Sequence, residues 1–294
     1  MKVSAIIPAY NAARWIEEAI VSIQRQTLPV HELIVVDDGS SDATGDLAQR
    51  LGADLVTLPQ NSGDGVARNA GLARVTGDTV AWLDADDLWA PHHVETLVDL
   101  LNRYPQADIA CAAVQRFGQQ TKRINGYAPT DAPGDIFWKA ARDWLHPIIG
   151  AIMRRDALTD IGGFPTEPRS SVDYDMWLRI SRNHLFIGTH QVTSFWRWHP
   201  YQQSRNYGKQ LAAVYLFRRR FLDRDLMDRH PEDAERFAEI MREMWKRDFE
   251  EALRDKDARR CTYIFDARAL IPGLDPELVG NFQRALQDLN TESA

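Results

Sequence analysis

Short apolar runs alternate with stretches of helical period along the first hundred residues, and most runs end in a cluster of small polar or acidic side chains. Residues 3–8, 33–36, 54–58 and 79–83 read as strands buried on both faces. Between them, residues 14–26 set Trp15, Ile16, Ala19, Ile20 and Ile23 at spacings of three and four, which makes an apolar stripe. Ser41 or Asp42 suits the cap of a second helix, residues 65–74 suit a third, and Pro91 suits the first turn of a fourth. Such alternation predicts an α/β doubly wound sheet with right-handed crossovers. Ligands bind such sheets beyond the carboxyl ends of the strands. Three polar loops stand at those ends: Pro8-Ala9-Tyr10-Asn11, Asp37-Asp38-Gly39-Ser40 and Asp84-Ala85-Asp86-Asp87.

Beyond residue 108 the pattern loosens into short strands expected at 108–114, 148–153 and 193–198. After residue 207 it becomes helical and charged, with Phe237, Ile240, Met241, Met244, Trp245 and Phe249 at helical spacing. The expected organisation is one α/β domain over 1–206, divided into halves at 107/108, and a helical extension over 207–294. A chain of 294 residues with 44% hydrophobic composition can build both.

The net charge of -7 disfavours nucleic acid as a partner. Cys111 and Cys261 are far apart and lack metal-ligand spacing, so both read as core thiols. No apolar segment approaches the ~20 residues a bilayer requires, and no signal-like leader is present, so a cytoplasmic location is expected.

Asp84, Asp86 and Asp87 at one strand end repel one another unless a cation or hydrogen-bond donors sit among them. With oxygen ligands and no thiolates, the cation expected is Mg²⁺ or Mn²⁺, shared with phosphate oxygens. A helix cap near Pro91 explains the same acids without a metal. Asp37 and Asp38 suit either a ribose or base contact or a plain turn. Tyr10 offers a flat face for a base, or packing. In Asn61 to Asn69, small residues precede a helix, where backbone N–H groups or Arg68 can meet an anion.

Taken together, "VSAIIPAYNAARWIEEAIVSIQRQT", "ELIVVDDGSSDAT", "NSGDGVARNAGLARVTGDTVAWLDADD" and "DYDMWLRI" resemble family 2 glycosyltransferases in order and separation. These are inverting enzymes with a GT-A, Rossmann-like fold whose mostly parallel central sheet is flanked by helices. The resemblance implies that Pro8, Ala9 and Tyr10 lie along a nucleobase, that Asp38 binds the base edge and that Arg68 holds the nucleotide. It places Asp84, with Ala85, near the ribose and sugar, Asp86 on the metal, and Asp173 as the catalytic base. It further implies a nucleotide-sugar donor, UDP-linked above all, and leaves the acceptor open among glycans, lipid-linked intermediates, small molecules and peptides.

The family often places an acid before the base, where this chain has Val172. Asp175 is then either a helix-start acid or an acceptor contact. "WRWHPYQQSRN" resembles the family's closing stretch, in which His199 and Ser204-Arg205-Asn206 approach the diphosphate and His199 either joins the metal or packs. Trp196 and Trp198 suit a sugar platform or packing. Arg218-Arg219-Arg220 suits either a helix packed on the domain with a solvated basic edge or a peripheral contact with the inner membrane face. The last helices pack on the catalytic domain or pair with a second copy. Two other classes share these features: a nucleotide-sugar-binding protein of the same fold without catalysis, and a nucleotidyltransferase.

Overall fold

A computed structural model of the chain describes residues 1–126, 128–143, 147–202 and 207–292. They fall into two compact units, 1–140 with 144–200, and 141–143 with 201–294.

The first unit opens with β1 (Val3–Ala9), α1 (Ile16–Gln24), β2 (Glu32–Asp37), α2 (Thr44–Arg50), β3 (Asp54–Thr57), α3 (Asp64–Leu72) and β4 (Thr79–Trp82). It continues with β5 (Leu88–Trp89), α4 (His93–Arg103), β6 (Ile109–Gly118) and β7 (Lys122–Ile124). The remaining elements in this stretch are α5 (Phe137–Arg142), β8 (Ala151–Arg154), α6 (Arg155–Asp160), α7 (Val172–Asn183) and β9 (Phe186–Trp198). The strands form one sheet in the order β3-β2-β1-β4-β8-β6-β9-β5, with β7 on β6.

The β3-β2-β1-β4 portion is wholly parallel, with Ile6 opposite both Ile34 and Trp82. Every residue of β1 and β4 is buried, which is why their sequences are apolar without alternation. β3 departs from that expectation: as the edge strand it leaves Asp54 and Thr57 exposed. The other portion brings antiparallel pairings, β4 with β8 and β8 with β6, before β6 and β9 run parallel.

β9 spans 13 residues, beginning well before the expected 193–198. Its first half is hidden from a periodicity reading because the register shifts between Ala112 and Val114 of the partner strand, leaving His190 and Gln191 exposed. Residues 148–150 likewise form a 3-10 turn before β8 instead of extending it.

The α1 stripe of Ile16, Ala19, Ile20 and Ile23 is buried as expected. α3 lies closer still to the sheet: a Cβ on Gly71 would fall 2.5 Å from Ile6 Cγ2 and 3.2 Å from Val36 Cγ2. That absence of a side chain lets α3 sit flush on β1 and β2.

The second unit comprises α8 (Tyr207–Phe221), a short α9 (Met227–Arg229), α10 (Pro231–Arg254), α11 (Ala258–Asp266) and α12 (Pro276–Glu292). The α10 stripe of Phe237, Ile240, Met241, Met244, Trp245 and Phe249 is buried, and Phe249 stacks on Phe282 at 4.2 Å between ring centroids. The basic triplet does not form a uniform solvated edge. Arg218 is 1% exposed, and in the same interior the Tyr215 hydroxyl donates to Asp248 at 2.7 Å. Arg218 is therefore withdrawn from that edge, whereas Arg219 and Arg220 are partly exposed.

Cys111 and Cys261 are both buried free thiols, and burial pushes the Cys111 thiol up to about 12. Among the described residues no helix is long and apolar enough to cross a membrane.

Gly71→Ala should force α3 off β1 and cost about 1–3 kcal/mol, the usual penalty for overpacking a filled interface. Urea denaturation followed by tryptophan fluorescence checks this, and a midpoint equal to that of the unaltered chain would refute the close-packing role.

Candidate active site

Beyond β4 the chain turns through Asp84, Ala85, Asp86 and Asp87, and the three acids part company. Asp84 accepts from Arg68 Nη2 at 2.7 Å. Asp86 lies 2.8 Å from His199 Nε2. Asp87, 1% exposed, accepts the backbone N–H of Arg197 at 2.7 Å. Three carboxylates can crowd one loop because each has found a separate partner. The crowding still registers: burial pushes the Asp86 carboxyl up, with Asp84 adding to the shift and the His199 hydrogen bond opposing it. Burial and the charges of Asp86 and Asp84 push Asp87 further.

Arg68 stands one turn into α3 and is 5% exposed. Burial works against its charge, but Asp84, Asp64 and Asp173 outweigh that penalty and hold the guanidinium protonated. Its Nε and Nη1 atoms are buried and have no hydrogen-bond partner among the described residues. Phe164 covers the group from one side, with the guanidinium carbon 5.8 Å from the ring centroid.

Asp173 sits in the first turn of α7, just after Ser171 in the left-handed region at φ 55°. Its carboxylate accepts the Tyr174 N–H at 3.0 Å. Burial raises this carboxyl to about 6, with Arg68 pulling down and Asp84 and Asp64 pushing up. Asp173 thus shares one electrostatic neighbourhood with Arg68 and Asp84, although more than a hundred positions separate it from Arg68 in the chain. Val172 beside it is buried in the core, and Asp175 pairs with Arg179 at 2.6 Å.

On the other flank, β1 ends with buried Ala9 and then Tyr10, 46% exposed. Asp37 accepts the Ser40 N–H at 2.9 Å, which is a turn role. Asp38 accepts the N–H groups of Ser62 and Gly63 at 2.7 and 2.8 Å, tying the β2 loop to the start of α3. Each Asp38 oxygen keeps acceptor capacity beyond those bonds. The structure therefore brings together Pro8, Ala9, Tyr10 and Asp38 at the ends of β1 and β2, and Arg68, Asp84, Ala85, Asp86, Asp173 and His199 around the end of β4.

Three contributors escape a sequence reading. Trp15, expected in the α1 core stripe, instead lies at the helix start, half-buried, with the Arg197 guanidinium carbon 4.4 Å and the His199 ring 5.6 Å from its own ring. Arg197 also donates to the Asp86 carbonyl at 2.8 Å and to Glu18 at 2.7 Å, so it fastens β9 to the acidic loop. Asp64 lies within the fields of Arg68, Asp84, Asp38 and Asp86. The one legible signal is the alternation Phe195, Arg197, which puts these side chains on one face of β9, with His199 following one residue past the strand's end. Trp196 and Trp198, on the opposite face, flank Arg116 at 4.5 and 4.1 Å. Ser204, Arg205 and Asn206 lie outside the described residues.

Among the described residues no group of three or more His, Cys, Asp or Glu side chains is arranged to hold a metal by itself. The Asp86 and His199 pair nonetheless fits two positions of a shell, since a carboxylate oxygen and an imidazole nitrogen together suit Mn²⁺. Phosphate oxygens would have to complete it.

A profile of "Glycosyl transferase family 2" matches residues 4–162, more than half of the chain. An uncharacterized glycosyltransferase of Nostoc sp. is 43% identical over 189 residues, covering 60% of this chain and 56% of its own length. One from Rickettsia typhi is 30% identical over 218 residues, covering 71% and 68%. The chain thus spans little more than half of the Nostoc relative. Among solved structures, S. aureus TarS 1-349 in complex with UDP-GlcNAc aligns with a TM-score of 0.71 and 18% identity, covering 99% of this chain and 89% of that one. A Pyrobaculum calidifontis mannosyltransferase in complex with GDP-Man and Mn²⁺ aligns at 0.56 and 20% identity, covering 99% and 86%. At these identities the likeness is one of fold.

Arg68→Met should raise the Asp173 carboxyl above about 6, because it removes the charge that opposes burial. Carbon-13 NMR of aspartate-labelled protein reads that titration directly, and an unmoved midpoint would uncouple the two residues.

Proposed function

The chain belongs to glycosyl transferase family 2, and we propose that it moves a sugar from a nucleotide-diphosphate sugar, UDP-linked above all, to an acceptor hydroxyl with inversion. The observation that carries this reading is the convergence of Asp84 and Asp173 on the buried Arg68, with Asp86 on the same loop as Asp84 and beside His199.

In this reading the nucleotide lies over the carboxyl ends of β1 and β2, along Pro8, Ala9 and Tyr10, with Asp38 and Arg68 beside it. Asp84, fixed by Arg68, faces the ribose and sugar with Ala85. Asp86 and His199 would hold Mn²⁺ or Mg²⁺ together with the donor's diphosphate, and the ion, when bound, supplies Lewis-acid neutralisation of the leaving group. Asp173 takes the proton from the acceptor hydroxyl as that oxygen attacks the anomeric carbon, and the nucleoside diphosphate departs from the opposite face.

The raised Asp173 carboxyl suits this work. A base with a titration point near the working pH combines adequate basicity with the right protonation state. Below about 6 the carboxyl is neutral and cannot accept the proton.

Asp173→Asn should bind UDP-N-acetylglucosamine normally yet lose ~10²- to 10⁴-fold in turnover. In the unaltered enzyme kcat/KM should rise with pH through about 6 and then level. Near-normal transfer by the variant would remove Asp173 from the role.

Asp86→Ala and His199→Ala should each abolish the gain in UDP-N-acetylglucosamine affinity that Mn²⁺ confers. Calorimetry with and without the ion measures it, and a gain that survives both substitutions would place the metal elsewhere.

A further inference from the structure

Asp64 opens α3 and Arg68 lies four residues on, so their side chains share one helix face. They do not pair with each other. Arg68 Nη2 is engaged by Asp84, while Nε and Nη1 are buried without a partner among the described residues. Asp64 likewise has no side-chain hydrogen bond or ion pair among the described residues, although burial pushes its carboxyl up. A buried donor pair without a hydrogen-bond partner and a partly exposed carboxylate thus stand one turn apart on α3.

The backbone gives Asp64 little freedom to swing away. On one side the Gly63 N–H is held by Asp38 at 2.8 Å. On the other, a Cβ on Gly65 would fall 1.9 Å from the Pro165 carbonyl oxygen, so the chain is wedged against the segment before α7. The charges of Arg68, Asp84, Asp38 and Asp86 all act on the Asp64 carboxyl.

What fits between Asp64 and Arg68 follows from charge and hydrogen-bond chemistry. Among the described residues a phosphate would meet the carboxylates of Asp38, Asp64, Asp84, Asp86 and Asp173, with Arg68 already engaged by Asp84 and with Arg169, whose side chain lies against Gly63, paired with Glu167. A hydroxyl is neutral and both accepts and donates, so it can take an Arg68 N–H and give its own proton to Asp64. We propose that Asp64 and Arg68 bracket a sugar hydroxyl of the donor, which makes Asp64 a specificity-determining residue for the nucleotide sugar. The inference rests on the glycosyl-transfer reading of this site. The hydroxyl belongs either to the nucleotide's ribose or to the transferred sugar.

Asp64→Asn, which keeps the side chain's size, and Asp64→Ala are compared with the unaltered chain by calorimetry in Mn²⁺. The probes are UDP and UDP-N-acetylglucosamine, and GDP and GDP-mannose. Thermal unfolding of each variant records any helix-start contribution separately, since a merely structural acid would move stability and leave ligand affinities alone. Loss of a hydrogen bond to a charged acceptor should weaken the preferred nucleotide sugar by about tenfold or more. An equal loss for the nucleoside diphosphate assigns the hydroxyl to the ribose, and a loss confined to the nucleotide sugar assigns it to the transferred sugar. Unchanged affinities, or tighter binding of every probe as expected of a purely repulsive carboxylate, would overturn the proposal while leaving the donor reading intact. Failure of the folded, unaltered chain to bind any of the four probes would remove both.

Discussion

One buried guanidinium makes the rest of the site possible. Carboxylates at Asp64, Asp84 and Asp173 come from three separate elements; Asp84 adds to the upward shift of Asp64 and of Asp173, and Arg68 is the charge they share. Its own burial is unfavourable and is offset only by that company. Arg68 reaches this position because α3 lies flush on β1 and β2, and α3 can do so because position 71 carries no side chain. The electrostatics of the site thus trace back to a packing constraint three residues away on the same helix.

The acidic loop after β4 shows a related economy. Asp84, Asp86 and Asp87 face three different partners, so one turn joins α3 to the end of β4, sets Asp86 against His199 and anchors the end of β9. Arg197 completes the anchor by bonding the Asp86 carbonyl and Glu18 while lying against Trp15. His199 is two residues further along, just past the end of β9, and is delivered to Asp86 by that anchor.

The local grammar of the sequence made much of this legible. Buried parallel strands announce themselves as unbroken apolar runs, and the loops at their carboxyl ends held Tyr10, Asp38, Asp84 and Asp86. The pairings across long stretches of chain were not legible. Nothing near Trp15 indicates that its ring meets Arg197 and His199 instead of the core, and nothing near Asp64 indicates which charges surround it. The first half of β9 was hidden by a bulge that breaks its period. Arg218 read as a surface residue because a run of three arginines is usually solvated, whereas Tyr215 and Asp248 provide a polar interior in the second unit. In each case the missing information was the identity of a distant partner.

The balance of charge around Arg68 also bears on how the proposed donor is received. A nucleoside diphosphate brings negative charge into a region where carboxylates outnumber the one buried guanidinium, and Arg197 nearby is already matched by Glu18. Among the described residues the protein offers that charge little attraction, and a cation held at the Asp86 and His199 pair would offset it. The same excess of carboxylates keeps phosphate away from Asp64, leaving that corner to a neutral group that can donate a proton. In the proposed reading, the division between a charge-balanced diphosphate position and a hydroxyl-reading corner follows from the excess of acids over buried cations among the described residues around Arg68.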